Sequence, residues 1–251
     1  MRLAHGLELA LTTLLVAAAA ATIPLTAGVW GWSWDALNHH IYLGLISESP
    51  RWDLDVVAAS VQTWQYPYLY WPVYRLTLLP VDGATAGALW AALLSVLMAP
   101  PIWLLSYRLL PQTASAPQAV FERMAAVALA FSSVLVLSGL GTTANDPLAS
   151  VPLLWALALM AAERPSDRRA AGAAALWGVA TAFKLSHALA LPLLLVWWWR
   201  RPGWPLPWAR GVWIATAAVA GFTLAYLPWG WQLWQQTGNP FYPFFGSLFQ
   251  A

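Results

Sequence analysis

Ala182-Phe183-Lys184-Leu185-Ser186-His187-Ala188 interrupts the apolar run Ala170–Trp199, and its reading decides how often the chain crosses a membrane. The run suits one long tilted helix or two short crossings. The flanking charges choose between them. Arg164, Arg168 and Arg169 precede the run; Arg200, Arg201 and Arg210 follow it. Basic residues collect on the cytoplasmic side of a membrane. One crossing separates the two clusters, whereas two crossings broken near Lys184–His187 keep them together. Each half is shorter than the roughly 20 residues of a full span, so the turn is expected inside the membrane, shielded by protein.

The composition supports this setting. Of 251 residues, 60% are hydrophobic and 9% charged, against roughly 25% charged in soluble domains. The apolar runs are continuous, unlike the alternating strands of an outer-membrane barrel. Nineteen tryptophans suit aromatic belts at both interfaces, and Trp197–Trp199 read as belt residues on the inner side. No basic run is interleaved with aromatics, so nucleic acid is not an expected partner. The absence of cysteine excludes disulfides and thiolate metal sites. Eleven arginines against one lysine make Lys184 conspicuous.

Outward from the break, the other spans read as Leu7–Ala27, Ala84–Tyr107 (with a late kink at Pro100-Pro101), Val120–Leu140, a fourth running from Pro147 to Ala162, and Gly211–Leu227. A cleavable signal peptide is the competing reading of the first, although its apolar run is long for one. Residues 28–82 form the longest polar region, with Leu37–Ile46 and Leu54–Trp64 expected as two amphipathic interfacial helices. Asn145 or Asp146 is expected to cap the fourth span, with Pro147 at its first position. Trp229–Ala251 reads as an aromatic tail. The expected fold is therefore all-α, a polytopic membrane protein of about seven transmembrane helices with a cytoplasmic N-terminus. Nine basic residues then lie inside and Arg51, Arg75 and Lys184 outside.

This topology gathers chemistry on the outer face. Gly31-Trp32-Ser33-Trp34-Asp35-Ala36-Leu37-Asn38-His39-His40 follows the first span with a carboxylate, an amide and two imidazoles. Ionisable groups at membrane depth are costly and usually serve a task; solvated polar residues beside anchoring tryptophans are the plainer reading. Asp146, Lys184, His187 and the Asn239 loop fall on the same face. A carboxylate can accept a proton from a hydroxyl, and a lysine in a low-dielectric pocket can hold a phosphate as its charge develops. Aromatic faces suit sugar rings. Of the adjacent His39 and His40, one is expected to face the site and the other water, since neighbours on a helix diverge by about 100°. Asp35 with a histidine leaves a divalent metal possible; no other cofactor is expected. Arg75 pairs either a phosphate or Asp82, and His187 reads as a helix-end polar residue.

The order of these motifs resembles the GT-C type membrane glycosyltransferases, the group of protein mannosyltransferase-like and aminoarabinose transferase-like enzymes. Asp35 matches their acidic residue after the first helix, and Tyr66-Pro67-Tyr68-Leu69-Tyr70 looks like their proline-aromatic motif. Asp146 looks like the acidic residue opening the fourth helix, and Lys184 like the lysine at a helix break. Gly238-Asn239-Pro240-Phe241-Tyr242-Pro243-Phe244-Phe245 looks like a motif of bacterial members. The resemblance implies one transmembrane module over 1–251, with 28–82 as its outer loop and the C-terminal helices of the family absent. It departs from the group in lacking the paired acidic motif, since Ala36 follows Asp35.

What the resemblance implies is an inverting glycosyltransferase of the cytoplasmic (inner) membrane, active on its periplasmic or extracellular face. It would move a sugar from a polyprenyl-phosphate donor, a membrane lipid, to a glycan, lipid or protein acceptor. Asp35 is the expected base. Lys184 and Arg75 are the donor phosphate contacts, and Asp146, His39, His40 and Asn239 are auxiliary. The rivals are a transporter or flippase of lipid-linked glycans, for which a broken helix is also a signature, and a non-catalytic membrane subunit.

Overall fold

A computed structural model describes residues 3–55, 57–110, 116–162, 166–199 and 208–249. They are all-α, with no strand among them. α1 (Leu3–Ala27) is followed by a π-helical turn at Ala36–His40 that runs directly into α2 (Ile41–Glu48). Then come α3 (Trp71–Thr77), α4 (Gly83–Leu109), α5 (Ala116–Phe131) and α6 (Val134–Leu140). α7 (Asp146–Met160) precedes α8 (Asp167–Phe183), a 3₁₀ turn at Leu185–Ala190 and α9 (Leu191–Trp199). α10 (Trp208–Thr237) and the short α11 (Gly246–Phe249) complete the order.

Among the described residues three helices are long and apolar enough to cross a membrane: 4–27, 83–109 and 208–237. α5 and α6 pass together as a fourth, bent by 70°. Their large apolar side chains stay outward. Leu7, Leu11, Leu14 and Leu15 on α1 and Val219, Leu224, Leu227 and Trp231 on α10 are exposed, a surface suited to lipid rather than water. α7 has 15 residues, short of a full span.

Several expectations change here. The span expected at Val120–Leu140 breaks at Ser132-Ser133, because the Ser133 hydroxyl accepts from the Val136 N–H and starts a new helix. The interfacial helix expected at Leu54–Trp64 shrinks to a 3₁₀ turn at Ser60–Trp64. Val57 and Ser60 both take positive φ, and the Thr63 hydroxyl claims the Ala59 N–H at 2.9 Å, so the backbone leaves the helical path. α10 runs past the expected end at Leu227, through Pro228, because Trp229 and Leu233 are buried against the outer loop. Asp146 does not cap α7; Asn145 stands at the cap position and makes no side-chain capping bond. Arg2, Arg164, Arg200, Arg201 and the side chains of Trp197–Trp199 lie outside the described residues.

Two interfaces set the geometry. α1 packs on α4 around Trp90, Leu94 and Trp103. α8 packs on α10 through small residues, as helices in lipid do. A Cβ on Gly178 would sit 2.0 Å from the Ala218 carbonyl oxygen, and one on Gly221 would sit 2.1 Å from that of Ala175. The two backbones therefore touch, and this brings the C-terminal end of α8 beside Tyr226. At the opposite end, Arg123 donates two bonds to Glu8, each 2.7 Å, Trp103 Nε1 donates to the same carboxylate, and Arg210 pairs Asp167 at 3.3 Å. The described basic residues Arg108, Arg123, Arg168, Arg169 and Arg210 thus gather at one end of the bundle, and Lys184 lies at the other.

Candidate functional site

The segment after α1 is laid onto the turn before α7. Gly31 takes φ +67, and a Cβ there would meet Thr143 Cγ2 at 2.8 Å. Trp30 packs against Gly87, where a Cβ would meet its Cβ and Cγ at 2.6 Å, and donates from Nε1 to the Thr142 carbonyl at 3.3 Å. Ser33 then takes the Ala36 N–H on its hydroxyl at 3.1 Å, which starts the π-helical turn and leaves Asp35 at its mouth. Trp32 and Trp34 point outward, 88% and 78% exposed.

The π-turn corrects the expectation for the two histidines. Both His39 and His40 are buried, and both line the same cavity. A π-turn spreads one turn over more residues than an α-turn, so adjacent side chains diverge less. His40 stacks on Tyr70 at 4.7 Å, and its Nδ1 lies 2.7 Å from Thr143 Oγ1. Burial, reinforced by His39, pushes the His40 pKa down to about 4. Burial lowers His39 as well, against the opposing pull of Asp35. Both rings are neutral at neutral pH. His39 Nδ1 is buried without a hydrogen-bond partner, 3.8 Å from Asp35 Oδ1. Burial also raises the Tyr70 hydroxyl, with Asp146 and Asp35 adding to it.

Lys184 sits where α8 ends. Its backbone is extended, at φ −151 and ψ 114, so the side chain leaves the helix and forms an ion pair with Asp146 in the first turn of α7. His187 braces the break. Its Nδ1 donates to the Ala180 carbonyl at 3.0 Å, and its own carbonyl accepts from Trp177 Nε1 at 2.9 Å.

These pieces meet in one cavity of about 500 Å³. Asp35, His39, His40, Asp146 and Lys184 all line it, although they come from three segments far apart in sequence. The walls are aromatic. Trp64, Tyr66 and Tyr70 come from the outer loop, Tyr226 from α10, and Phe241 and Tyr242 from the tail. The loop is pinned to α10 by Tyr66 donating to the Ala225 carbonyl at 3.1 Å and Trp229 Nε1 donating to the Trp64 carbonyl at 3.3 Å.

Two expected site residues lie elsewhere. Arg75 does not line the cavity; it pairs Glu48, and Asp82 instead caps α4 through Thr85. Asn239 is fully buried behind the wall. It donates to the Phe244 carbonyl at 2.7 Å and accepts from the Phe241 N–H at 2.9 Å, which shapes the tail so that Phe241, Tyr242 and Phe244 face the cavity. Sequence reasoning missed Gln62, Gln65 and Tyr226, which are also at the cavity. Nothing in local pattern distinguishes them from other loop and helix residues.

No family model, curated protein or solved structure matches the chain. Among the described residues no cluster of three or more His, Asp or Glu side chains could hold a metal ion. Asp35 and His39 supply two candidate ligands, short of the three or four a bound zinc takes. The arrangement thus offers two carboxylates, a lysine, two neutral imidazoles and aromatic faces around a space large enough for a sugar.

Proposed function

We propose that the chain is an inverting membrane glycosyltransferase using a polyprenyl-phosphate sugar donor and an outward-facing hydroxyl acceptor. The observation that carries this reading is the convergence of Asp35 and Lys184 on one aromatic cavity. Asp35 takes the proton of the acceptor hydroxyl as its oxygen bonds the anomeric carbon. The bond from that carbon to the phosphate oxygen breaks, its electron pair stays on the phosphate, and the Lys184 ammonium stabilises the charge. Attack from the face opposite the leaving group inverts the carbon. In this reading α7, α8 and α9 complete the seven-crossing topology, the basic end faces the cytoplasm, and the cavity opens on the outer side of the cytoplasmic membrane.

The test is release of polyprenyl phosphate from a polyprenyl-phosphate hexose by the full chain in nanodiscs, with water standing in as the hydroxyl acceptor. Asp35→Asn is expected to lower the rate by about 10²- to 10⁴-fold while the protein stays inserted and still binds donor. Undiminished turnover in Asp35→Asn would falsify Asp35 as the base. A second reading is favoured by the helix broken at Lys184, which also suits a transporter of lipid-linked glycans. Movement of intact donor between leaflets of a proteoliposome, with no sugar released, would select it.

A further inference from the structure

The cavity carries a charge problem that the proposed function must solve. Among the described residues lining it, the charged ones are Asp35, Asp146 and Lys184: two carboxylates against one ammonium, with both histidines neutral. The lysine is not waiting for a ligand, because Asp146 already holds it. An entering phosphate brings another negative charge and meets Asp146 at the same ammonium.

From this geometry we infer that Asp146 is a placeholder for the donor phosphate: it occupies Lys184 in the empty cavity, yields it when the phosphate enters, and so selects singly charged phosphate donors over diphosphates. The inference rests on reading Lys184 as the phosphate contact. The exchange is cheap in both directions. The Lys184 side chain is 38% exposed and that of Asp146 62%, and ion pairs so accessible hold weakly. When released, Asp146 remains in the first turn of α7, where the helix N-terminus favours a carboxylate. The lysine does not move far, since His187 in the following 3₁₀ turn is bonded to Trp177 and Ala180 on α8 and touches Ser150 on α7. A donor with one phosphate charge replaces the one carboxylate charge on Lys184. A diphosphate leaves surplus charge facing Asp35 and Asp146, and like charges a few ångström apart repel.

Binding of methyl farnesyl phosphate, a diester with one charge like the proposed donor, and of methyl farnesyl diphosphate, with two, to the full chain in nanodiscs tests this without requiring turnover. Lys184→Ala is expected to weaken methyl farnesyl phosphate binding about tenfold or more. Asp146→Asn is expected to tighten it about three- to tenfold, since both the competing ion pair and the repulsion are gone, and to tighten methyl farnesyl diphosphate by more. Asp146→Ser should behave as Asp146→Asn does, and Asp146→Glu should not tighten either ligand. If Lys184→Ala leaves binding unchanged, the phosphate reading of the cavity falls, and this inference with it. If Lys184→Ala weakens binding but neither Asp146→Asn nor Asp146→Ser strengthens it, the placeholder role alone is overturned and the phosphate site stands.

Discussion

His187 Nε2 lies 3.3 Å from Ser150 Oγ, one helical turn beyond Asp146, and so ties the break after Lys184 to the helix that carries its partner. Ser150 Oγ lies 2.8 Å from the Asp146 carbonyl as well, and its one proton serves either that oxygen or Nε2. A chain that leaves its helix at Lys184 is thus held at two points on α7, by an ion pair and by this contact. Ser150→Ala is expected to cost about 1 kcal/mol, the usual net value of one hydrogen bond. His187→Ala should cost more, because its bond to the Ala180 carbonyl goes too. Thermal unfolding in detergent micelles ranks the two, and the reverse order would deny His187 its bracing role.

Glu8 and Arg123 form a doubly bonded pair, with side chains 9% and 6% exposed. Removing one partner strands a buried charge, so Arg123→Met is expected to destabilise by about 3–5 kcal/mol. The double variant Glu8→Leu/Arg123→Met should recover most of that loss, since no charge is left unpaired. Unfolding of the single and double variants in the same micelles measures the coupling directly. Equal losses in both would show that packing around Trp103, not charge, holds these helices.

His40 gives the outer loop a pH dependence of definite sign. Its pKa falls from an ordinary 6.5 to about 4 in the folded protein. Between those values the unfolded chain binds a proton that the folded one refuses, so stability rises with pH. Acidification from pH 7 towards pH 4 should therefore destabilise the protein, with no further contribution from this ring below about 4. His39 shifts the same way. His40→Asn should flatten part of the profile of denaturation midpoint against pH, and a profile that keeps its full slope would place the dependence elsewhere.

Gly178 faces Ala218 with no room for a methyl group. Backbone, not a flexible side chain, fills the space, so Gly178→Ala must push α8 from α10. The expected loss is about 1–3 kcal/mol, the usual cost of overpacking. It should be accompanied by weaker methyl farnesyl phosphate binding, since Lys184 directly follows the end of α8. Gly172→Ala on the same helix is the control, because its Cβ would meet only Leu159 Cδ1, at 3.4 Å.

His39 offers a test of acceptor chemistry. Its unpartnered Nδ1 and the Asp35 carboxylate lie 3.8 Å apart, too far for a hydrogen bond but spaced to bracket one hydroxyl oxygen. His39→Phe should lower sugar transfer and leave methyl farnesyl phosphate binding within about twofold. An equal loss in both measurements would make His39 a general packing residue.

Much of the fold is legible along the chain because burial in lipid writes itself into local composition. Apolar runs long enough to span gave α1, α4 and α10. The lone lysine between arginine clusters marked the break that the structure places at Lys184. The outer loop was less readable. Its aromatic residues promise contact without naming partners, and the positive φ at Val57 and Ser60 has no glycine to announce it.

By itself, then, the sequence determined that this chain is helical and apolar enough for a membrane, and which rare polar residues stood out against that background. Tertiary structure alone decided which of them meet. Hydropathy and charge vary along one dimension, whereas the cavity depends on rotations about helix axes: the π-turn that buries both His39 and His40, the glycine contact that sets α8 on α10, and the Glu48 pairing that turns Arg75 away. Those angles follow from packing between segments well separated in the sequence, from Glu48 against Arg75 to His40 against Thr143, which no local pattern encodes.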